Sequence, residues 1–150
     1  MSGYKFHIIA YLMAACALTY ALKEYSFFGL SITSLIISLF IGGMYSILPD
    51  IDLPSSIMRR MIERGALALI LFLTIAYVFY PSMLLIYAAI AVTFLLMLLW
   101  YLKHRGFFHT ILAGLLLSAP WALLDPVFSL YAFLGYAAHL FVDGEIFSLF

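Results

Sequence analysis

The sequence predicts an all-α protein, a polytopic bundle of about six transmembrane helices with both termini on one side of the membrane. Hydrophobic residues make up 67% of the 150 residues and charged residues only 9%, far from the composition of a soluble globular protein. Apolar runs long enough to cross a bilayer recur through the whole chain. We therefore expect one integral membrane domain, 1–150, in a multi-pass protein of the cell membrane.

The expected helices follow the apolar runs in chain order. Their bounds are Phe6 to Leu22, Phe27 to Leu48, a third helix ending at Tyr80, a fourth ending at Leu102, Phe107 to Leu124, and Val127 to Val142. Pro49, Pro81 and Asp125-Pro126 end their runs because proline cannot continue a helix. A polar connector, Ser55 to Arg64, separates helices 2 and 3.

The single cysteine, Cys16, bears on redox chemistry and on processing. One thiol forms neither an internal disulfide nor a thiolate cage for a metal. Met13-Ala14-Ala15-Cys16 also resembles a lipoprotein cleavage site, which would make residues 1–15 a removed signal. The apolar run continues past Cys16 to Leu22, which favours a retained helix, and the alternative stays open.

Basic residues predict the orientation. With six crossings, the N-terminus, the connectors 2–3 and 4–5, and the C-terminus share one side. That side holds Lys5, Arg59, Arg60, Arg64, Lys103 and Arg105, whereas the other side holds Lys23 alone. The positive-inside rule makes the shared face cytoplasmic. The net charge is zero and no basic stripe is present, so no nucleic-acid partner is expected.

The same face is expected to collect the groups that can bind metal ions. Four segments contribute the candidate ligands, which are His7, Asp50, Asp52, His104, His109, His139 and Asp143. Imidazole with carboxylate suits Zn²⁺, with Mn²⁺ or Fe²⁺ as alternatives. Because a catalytic ion takes about three protein ligands plus water, these donors suit two or three ions.

The spacing of the candidate ligands within each segment indicates whether they can chelate an ion or have simpler structural roles. His139 and Asp143, at i and i+4, project from one helical face, where they either chelate an ion or hydrogen-bond at a helix end. Asp50 and Asp52 follow Pro49 and either bind metal and orient a histidine or form a solvated loop. In the second case Pro54-Ser55-Ser56 caps the next helix.

The stretch His104-Arg105-Gly106-Phe107-Phe108-His109-Thr110 joins helices 4 and 5. Gly106 permits a break, after which His109 is expected in the first turn of helix 5. Arg105 suits recognition of a phosphate or carboxylate held by the metals. The alternative for His104 is that it belongs to an ordinary basic flank of the helix. The alternative for His7 is that it only lies at the membrane interface.

Small residues recur every four positions along helix 2, at Ser34, Ser38, Gly42 and Ser46. Side chains of this size let neighbouring helices approach closely. Close approach would hold the carboxylates after helix 2 against a neighbour, and the alternative, which we expect, is ordinary helix packing.

Four stretches of the chain resemble the membrane-bound metal-dependent hydrolase family, also described as LexA-binding, inner-membrane-associated hydrolases. They are the early His7, Leu48-Pro49-Asp50-Ile51-Asp52, His104 to Thr110, and Gly135 to Asp143, in an order that covers nearly the whole chain. The family is distantly similar to zinc-dependent phospholipases C and related nucleases, which use a His-x-x-x-Asp helix pair. The resemblance implies phosphoester chemistry by analogy.

These features lead to the hypothesis of a metal-dependent phosphoesterase. Metal-activated hydroxide would attack the phosphorus of a phospholipid or lipid phosphate, with Asp52 as general base and Arg105 stabilising phosphoryl charge. Membrane lipids are the expected partners, and an oligomer is compatible with the sequence. The alternatives are a metal transporter, sensor or structural metal site, a haem protein, and a membrane scaffold.

Overall fold

The computed structural model describes residues 3–24, 31–101 and 106–144, and these residues form helices and no strands. The α-helices are α1 (Tyr4–Glu24), α2 (Ile32–Tyr45), α3 (Ile57–Phe79), α4 (Met83–Trp100), α5 (Ile111–Ser118) and α6 (Pro126–Asp143). Shorter 3-10 helices cover Pro49–Asp52, Phe107–His109 and Ala119–Leu123. The predicted all-α bundle of about six helices is confirmed.

Four segments within the described residues are long and apolar enough to cross a membrane. They are Tyr4–Lys23, Ile32–Asp52, Ile57–Phe79 and Met83–Trp100. The chain divides into two compact units, one comprising Met1–Asp50 with Arg105–Phe150 and the other Ile51–His104. The first unit contains α1, α2, α5 and α6, and the second contains α3 and α4.

In the first unit, α6 packs against α1, α2 and α5. Its contact with α2 is very close, because a Cβ atom added to Gly135 would overlap the backbone carbonyl of Gly42. The Tyr11 hydroxyl of α1 fills the remaining space beside Gly42 and donates a hydrogen bond to the Leu39 carbonyl at 3.0 Å. This is the close packing predicted from the small residues of helix 2.

Local capping explains where α6 begins and ends. The Asp125 carboxylate accepts a hydrogen bond from the Val127 N–H at 2.9 Å, and Pro126 occupies the first turn, where its missing N–H costs nothing. Gly144 ends the helix in the left-handed region with φ 74°. Asp143 is therefore held in the last turn of a well-capped helix.

The prediction of one helix from Phe107 to Leu124 is wrong. Thr110 adopts an extended conformation, and its hydroxyl caps α5 by accepting from the Ala113 N–H at 3.1 Å. The chain before Thr110 forms the 3-10 turn Phe107–His109, and Pro120 keeps the chain after α5 in a 3-10 helix because it lacks an N–H. His109 consequently lies before helix 5 and not in its first turn.

In the second unit, α3 and α4 pack against each other. The polar connector predicted for Ser55 to Arg64 is helical from Ile57 onward. The Ser56 hydroxyl caps α3, and Arg59 Nε donates to Glu63 Oε1 one turn later at 2.6 Å. Arg59 is buried and also donates to the carbonyls of Ile51 and Leu99, so it connects both ends of this unit.

Other boundaries differ less. Helix 2 ends at Tyr45, three residues earlier than predicted, and a turn leads from Ser46 into the 3-10 helix. The predicted start of helix 2 at Phe27 and the predicted end of helix 4 at Leu102 lie outside the described residues.

Candidate metal centre

Five of the predicted ligands converge at one end of the first unit. His7 lies in the first turn of α1, Asp50 in the 3-10 helix after α2, His109 in the 3-10 helix before α5, and His139 and Asp143 in the last turns of α6. Each residue lies at the end of a helix or in a short 3-10 helix. Four separate segments of the chain therefore bring polar side chains to the same place.

The distances among four of these residues match the spacing of ligands around an ion. One ligand atom each from Asp50, His109, His139 and Asp143 lies within 4.8 Å of the others. His139 Nε2 is 3.7 Å from Asp50 Oδ1 and 3.6 Å from Asp143 Oδ2. These separations are too long for hydrogen bonds and close to the roughly 3.3 Å between neighbouring ligands of a tetrahedral zinc ion.

His139 is oriented by the backbone. Its Nδ1 lies 2.9 Å from the Ser46 carbonyl, which only accepts hydrogen bonds, so Nδ1 carries the proton. The Nε2 lone pair then points between the two carboxylates, and Nε2 has no hydrogen-bond partner among the described residues. A metal-binding histidine commonly donates its second nitrogen to a backbone carbonyl. The arrangement therefore fits a divalent cation.

His7 lies beside the group and also faces Asp143. Its Nε2 is 3.7 Å from Asp143 Oδ1, whereas His139 faces Oδ2. The His7 ring also stacks on the His139 ring at a centroid distance of 3.9 Å. The Asp143 carboxylate thus faces the Nε2 atoms of two stacked imidazoles and offers one oxygen to each.

Tyr136 supports the position of His109. Its hydroxyl, on α6, donates a hydrogen bond to the Phe108 carbonyl and fastens the 3-10 turn that holds His109. Sequence reasoning missed both this tyrosine and the Ser46 carbonyl. The available signal was that Tyr136 precedes His139 by three residues and therefore shares its helical face.

The remaining candidates are Asp52, His104 and Arg105. Asp52 is buried at the end of the 3-10 helix Pro49–Asp52 and belongs to the second compact unit. His104 and Arg105 lie outside the described residues. The roles predicted for these three residues stay predictions.

One family model matches nearly the whole chain. The model of a family described as YdjM inner membrane protein matches residues 4–145. No curated protein and no solved structure matches. The family description agrees with the four apolar segments that can cross a membrane, and both support a membrane location. The chain belongs to the YdjM inner membrane protein family.

Proposed function

We propose that this protein is a membrane-embedded, metal-dependent hydrolase that cleaves a phosphoester of a phospholipid or lipid phosphate. The proposal rests on the group formed by Asp50, His109, His139 and Asp143, whose ligand atoms lie within 4.8 Å of one another. Mixed imidazole and carboxylate ligands suit zinc, with manganese or iron as alternatives. The resemblance of the His139–Asp143 pair to that of zinc-dependent phospholipases C supports the same chemistry by analogy.

The chain's own residues have distinct tasks in this proposal. When bound, a divalent ion supplies a Lewis acid and lowers the pKa of a bound water to about 7. Asp50 and Asp143 would offset the charge of the ion, and the hydrogen bond to the Ser46 carbonyl would leave His139 Nε2 available to hold it. Asp143 Oδ1 faces His7, and the two residues would hold a second ion there. Arg105 is proposed to bind the phosphoryl group. Asp52 is proposed to act as the general base.

The position of the group along the apolar segments supports a lipid substrate. His7 lies near the start of the segment Tyr4–Lys23, and Asp50 lies near the end of the segment Ile32–Asp52. Both positions correspond to the depth of lipid head groups in a bilayer. We propose that the phosphate bound at that level belongs to a lipid whose chains remain in the membrane, and the basic residues favour the cytoplasmic face.

Burial favours a second candidate, a closed metal site with a structural or sensing role. The exposed fractions of His7, His109 and His139 are 1%, 2% and 0%. Structural zinc sites are closed by protein ligands, whereas catalytic sites keep one position open for water or substrate. The two candidates agree on metal binding and differ on turnover.

The test combines metal analysis with hydrolysis assays on the purified protein. The parent is expected to contain a divalent metal and to release phosphate or head group from vesicles in a panel of phospholipids and lipid phosphates. His109→Ala should lose both properties. Asp125→Asn is the matched control, because asparagine retains the cap of α6 and the change is otherwise isosteric.

Each result separates the candidates. Metal in the parent without release from any lipid would support the closed site and reject the hydrolase. Absence of metal from the parent, or an unchanged metal content in His109→Ala, would reject both.

A further inference from the structure

An apolar groove of about 480 Å³ runs between α1 and α6 in the first unit. Small side chains of both helices line it, including Ala14 and Ala137, which are half-buried. Met13 and Phe141 also line it and are 71% and 70% exposed, so these larger side chains form its edges. The groove is open at the surface, and alanines form its floor.

One end of the groove lies close to the candidate ligands Asp50, His109, His139 and Asp143, called the ligand group below, and the groove extends from there toward the interior of the membrane. At one end, Ala10 lies three residues after His7, and Val142 directly precedes Asp143. The lining of α6 begins at Leu134, which gives the groove a length of roughly 12 Å along this helix. Because α1 begins at the ligand group and α6 ends there, the rest of the groove lies at greater depth.

We infer that this groove binds one acyl chain of a lipid whose phosphate lies at the group formed by Asp50, His109, His139 and Asp143. The inference rests on the proposed function and names the part of the substrate that the site recognises outside its polar head. An amphiphile with a polar head and a hydrocarbon tail matches an apolar groove whose end, at Ala10 and Val142, lies close in the chain to His7 and Asp143.

The side chains at the edges of the groove favour a chain over a helix as its occupant. A transmembrane helix is about 10 Å across with its side chains, and it approaches another helix closely only where the facing side chains are small. Here the exposed Met13 and Phe141 rise beside the alanine floor and narrow the space. A second copy of the protein would also bring apolar residues to the polar end of the groove, where a lipid brings its phosphate.

Photolabelling tests the inference without requiring turnover. The probe is a phosphatidic acid with a diazirine in its acyl chain, presented in nanodiscs to the full-length protein. We expect labelling concentrated in the peptides of α1 and α6 that line the groove. An excess of unlabelled phosphatidic acid should compete for that labelling.

Two variants fill the groove without touching the ligands. Ala14→Leu on α1 and Ala137→Leu on α6 should each reduce labelling of the groove about tenfold, the effect of excluding roughly two buried methylene groups. Ala91→Leu, at an exposed alanine of α4, is the matched control and should label like the parent. Retained metal content in the leucine variants shows that the fold and the ligand group are intact.

Several results would overturn the inference. These are labelling spread evenly over the chain, labelling unaffected by competitor, or labelling unchanged in both leucine variants. A dimer of the parent that Ala14→Leu dissociates would also reject it, because a second copy would then occupy the groove. If the parent labels as expected but hydrolyses no phosphoester, the proposed function fails and the acyl site stands.

Discussion

At the residue scale, Asp143 connects two parts of the candidate centre. Its Oδ2 lies 3.6 Å from His139 Nε2 and its Oδ1 lies 3.7 Å from His7 Nε2. His139 also approaches Asp50 at 3.7 Å, whereas His7 is outside the group of four ligand atoms. The two stacked imidazoles therefore have unequal importance for a first bound ion.

Metal content should separate these two histidines. His139→Ala removes the imidazole that faces both carboxylates and should lower metal affinity at least about tenfold. His7→Ala should retain one ion per protein, because Asp50, His109, His139 and Asp143 stay in place. Elemental analysis of the purified variants measures both outcomes. Complete loss of metal in His7→Ala would contradict the division of roles.

Asp143 should matter for both imidazoles. Asp143→Asn keeps the shape of the side chain and removes its negative charge, so we expect metal affinity to fall at least about tenfold. Asp125→Asn, the same change at the other end of α6, should leave metal binding unaltered. Equal metal content in the two variants would exclude Asp143 as a ligand.

How much of this centre the sequence predicts depends on the kind of contact. The i, i+4 spacing of His139 and Asp143 is local and follows from helix geometry. The carbonyl that orients His139 belongs to Ser46, 93 residues earlier, and becomes a partner only after α2 packs on α6. A backbone carbonyl leaves no trace in residue type, so the sequence predicted His139 as a candidate ligand and not its orientation.

At the scale of the elements, the centre depends on the crossing of α2 and α6. Asp50 follows α2 and His139 lies on α6, and the two helices touch at Gly42 and Gly135. Any group larger than hydrogen at Gly135 would have to displace the backbone of Gly42. The distance between the two ligands is therefore set partly by glycines.

Gly135→Ala should destabilise the protein and weaken the centre. The added methyl group cannot be accommodated by a side-chain rotation, and we expect a loss of about 1–3 kcal/mol of unfolding free energy. Gly43→Ala is the matched control on α2, because its Cβ would meet only the Tyr11 ring at an ordinary 3.9 Å. Thermal unfolding in detergent, followed by circular dichroism, compares the two. Equal melting temperatures would contradict the close crossing.

Arg59 has a comparable role in the second unit. Replacing it with alanine removes the donor to Glu63 and to the carbonyls of Ile51 and Leu99. Because carbonyls buried without a partner are costly, we expect a loss of at least about 2 kcal/mol. Arg60→Ala, at the exposed neighbouring position, should change stability little. Faster amide hydrogen exchange in α3 and α4 of Arg59→Ala only would support this role.

The errors in predicting the elements have local causes. The charges of the connector concealed a helix start, although Ser56 and the pair Arg59–Glu63 carry the signals of a cap and a helical ion pair. In helix 5, the apolar run concealed two interruptions, at Thr110 and at Pro120. Hydropathy predicted which segments are apolar, whereas capping and proline decided where the helices begin and end.

At the scale of the whole molecule, the short fifth helix raises a question about topology. The helices α5 and Ala119–Leu123, with eight and five residues, together extend roughly 20 Å, less than the ~30 Å of a bilayer core. However, the chain enters α5 beside His109 and leaves α6 at Asp143, both at the ligand group. The segment from α5 to α6 therefore begins and ends on the same side of the membrane, whether or not α5 crosses the membrane completely.

The side of the C-terminus is therefore expected to be independent of how deeply α5 enters the membrane. Six basic residues are assigned to the side of the C-terminus and one to the other side. The positive-inside rule therefore predicts that the C-terminus is cytoplasmic. In a bacterial host, green fluorescent protein fused after Phe150 should fluoresce, and alkaline phosphatase fused there should be inactive. Phosphatase fused after Pro81, in the turn between α3 and α4, is the matched control and should be active. Activity at the C-terminus and none at Pro81 would invert the orientation and place the ligand group on the opposite face.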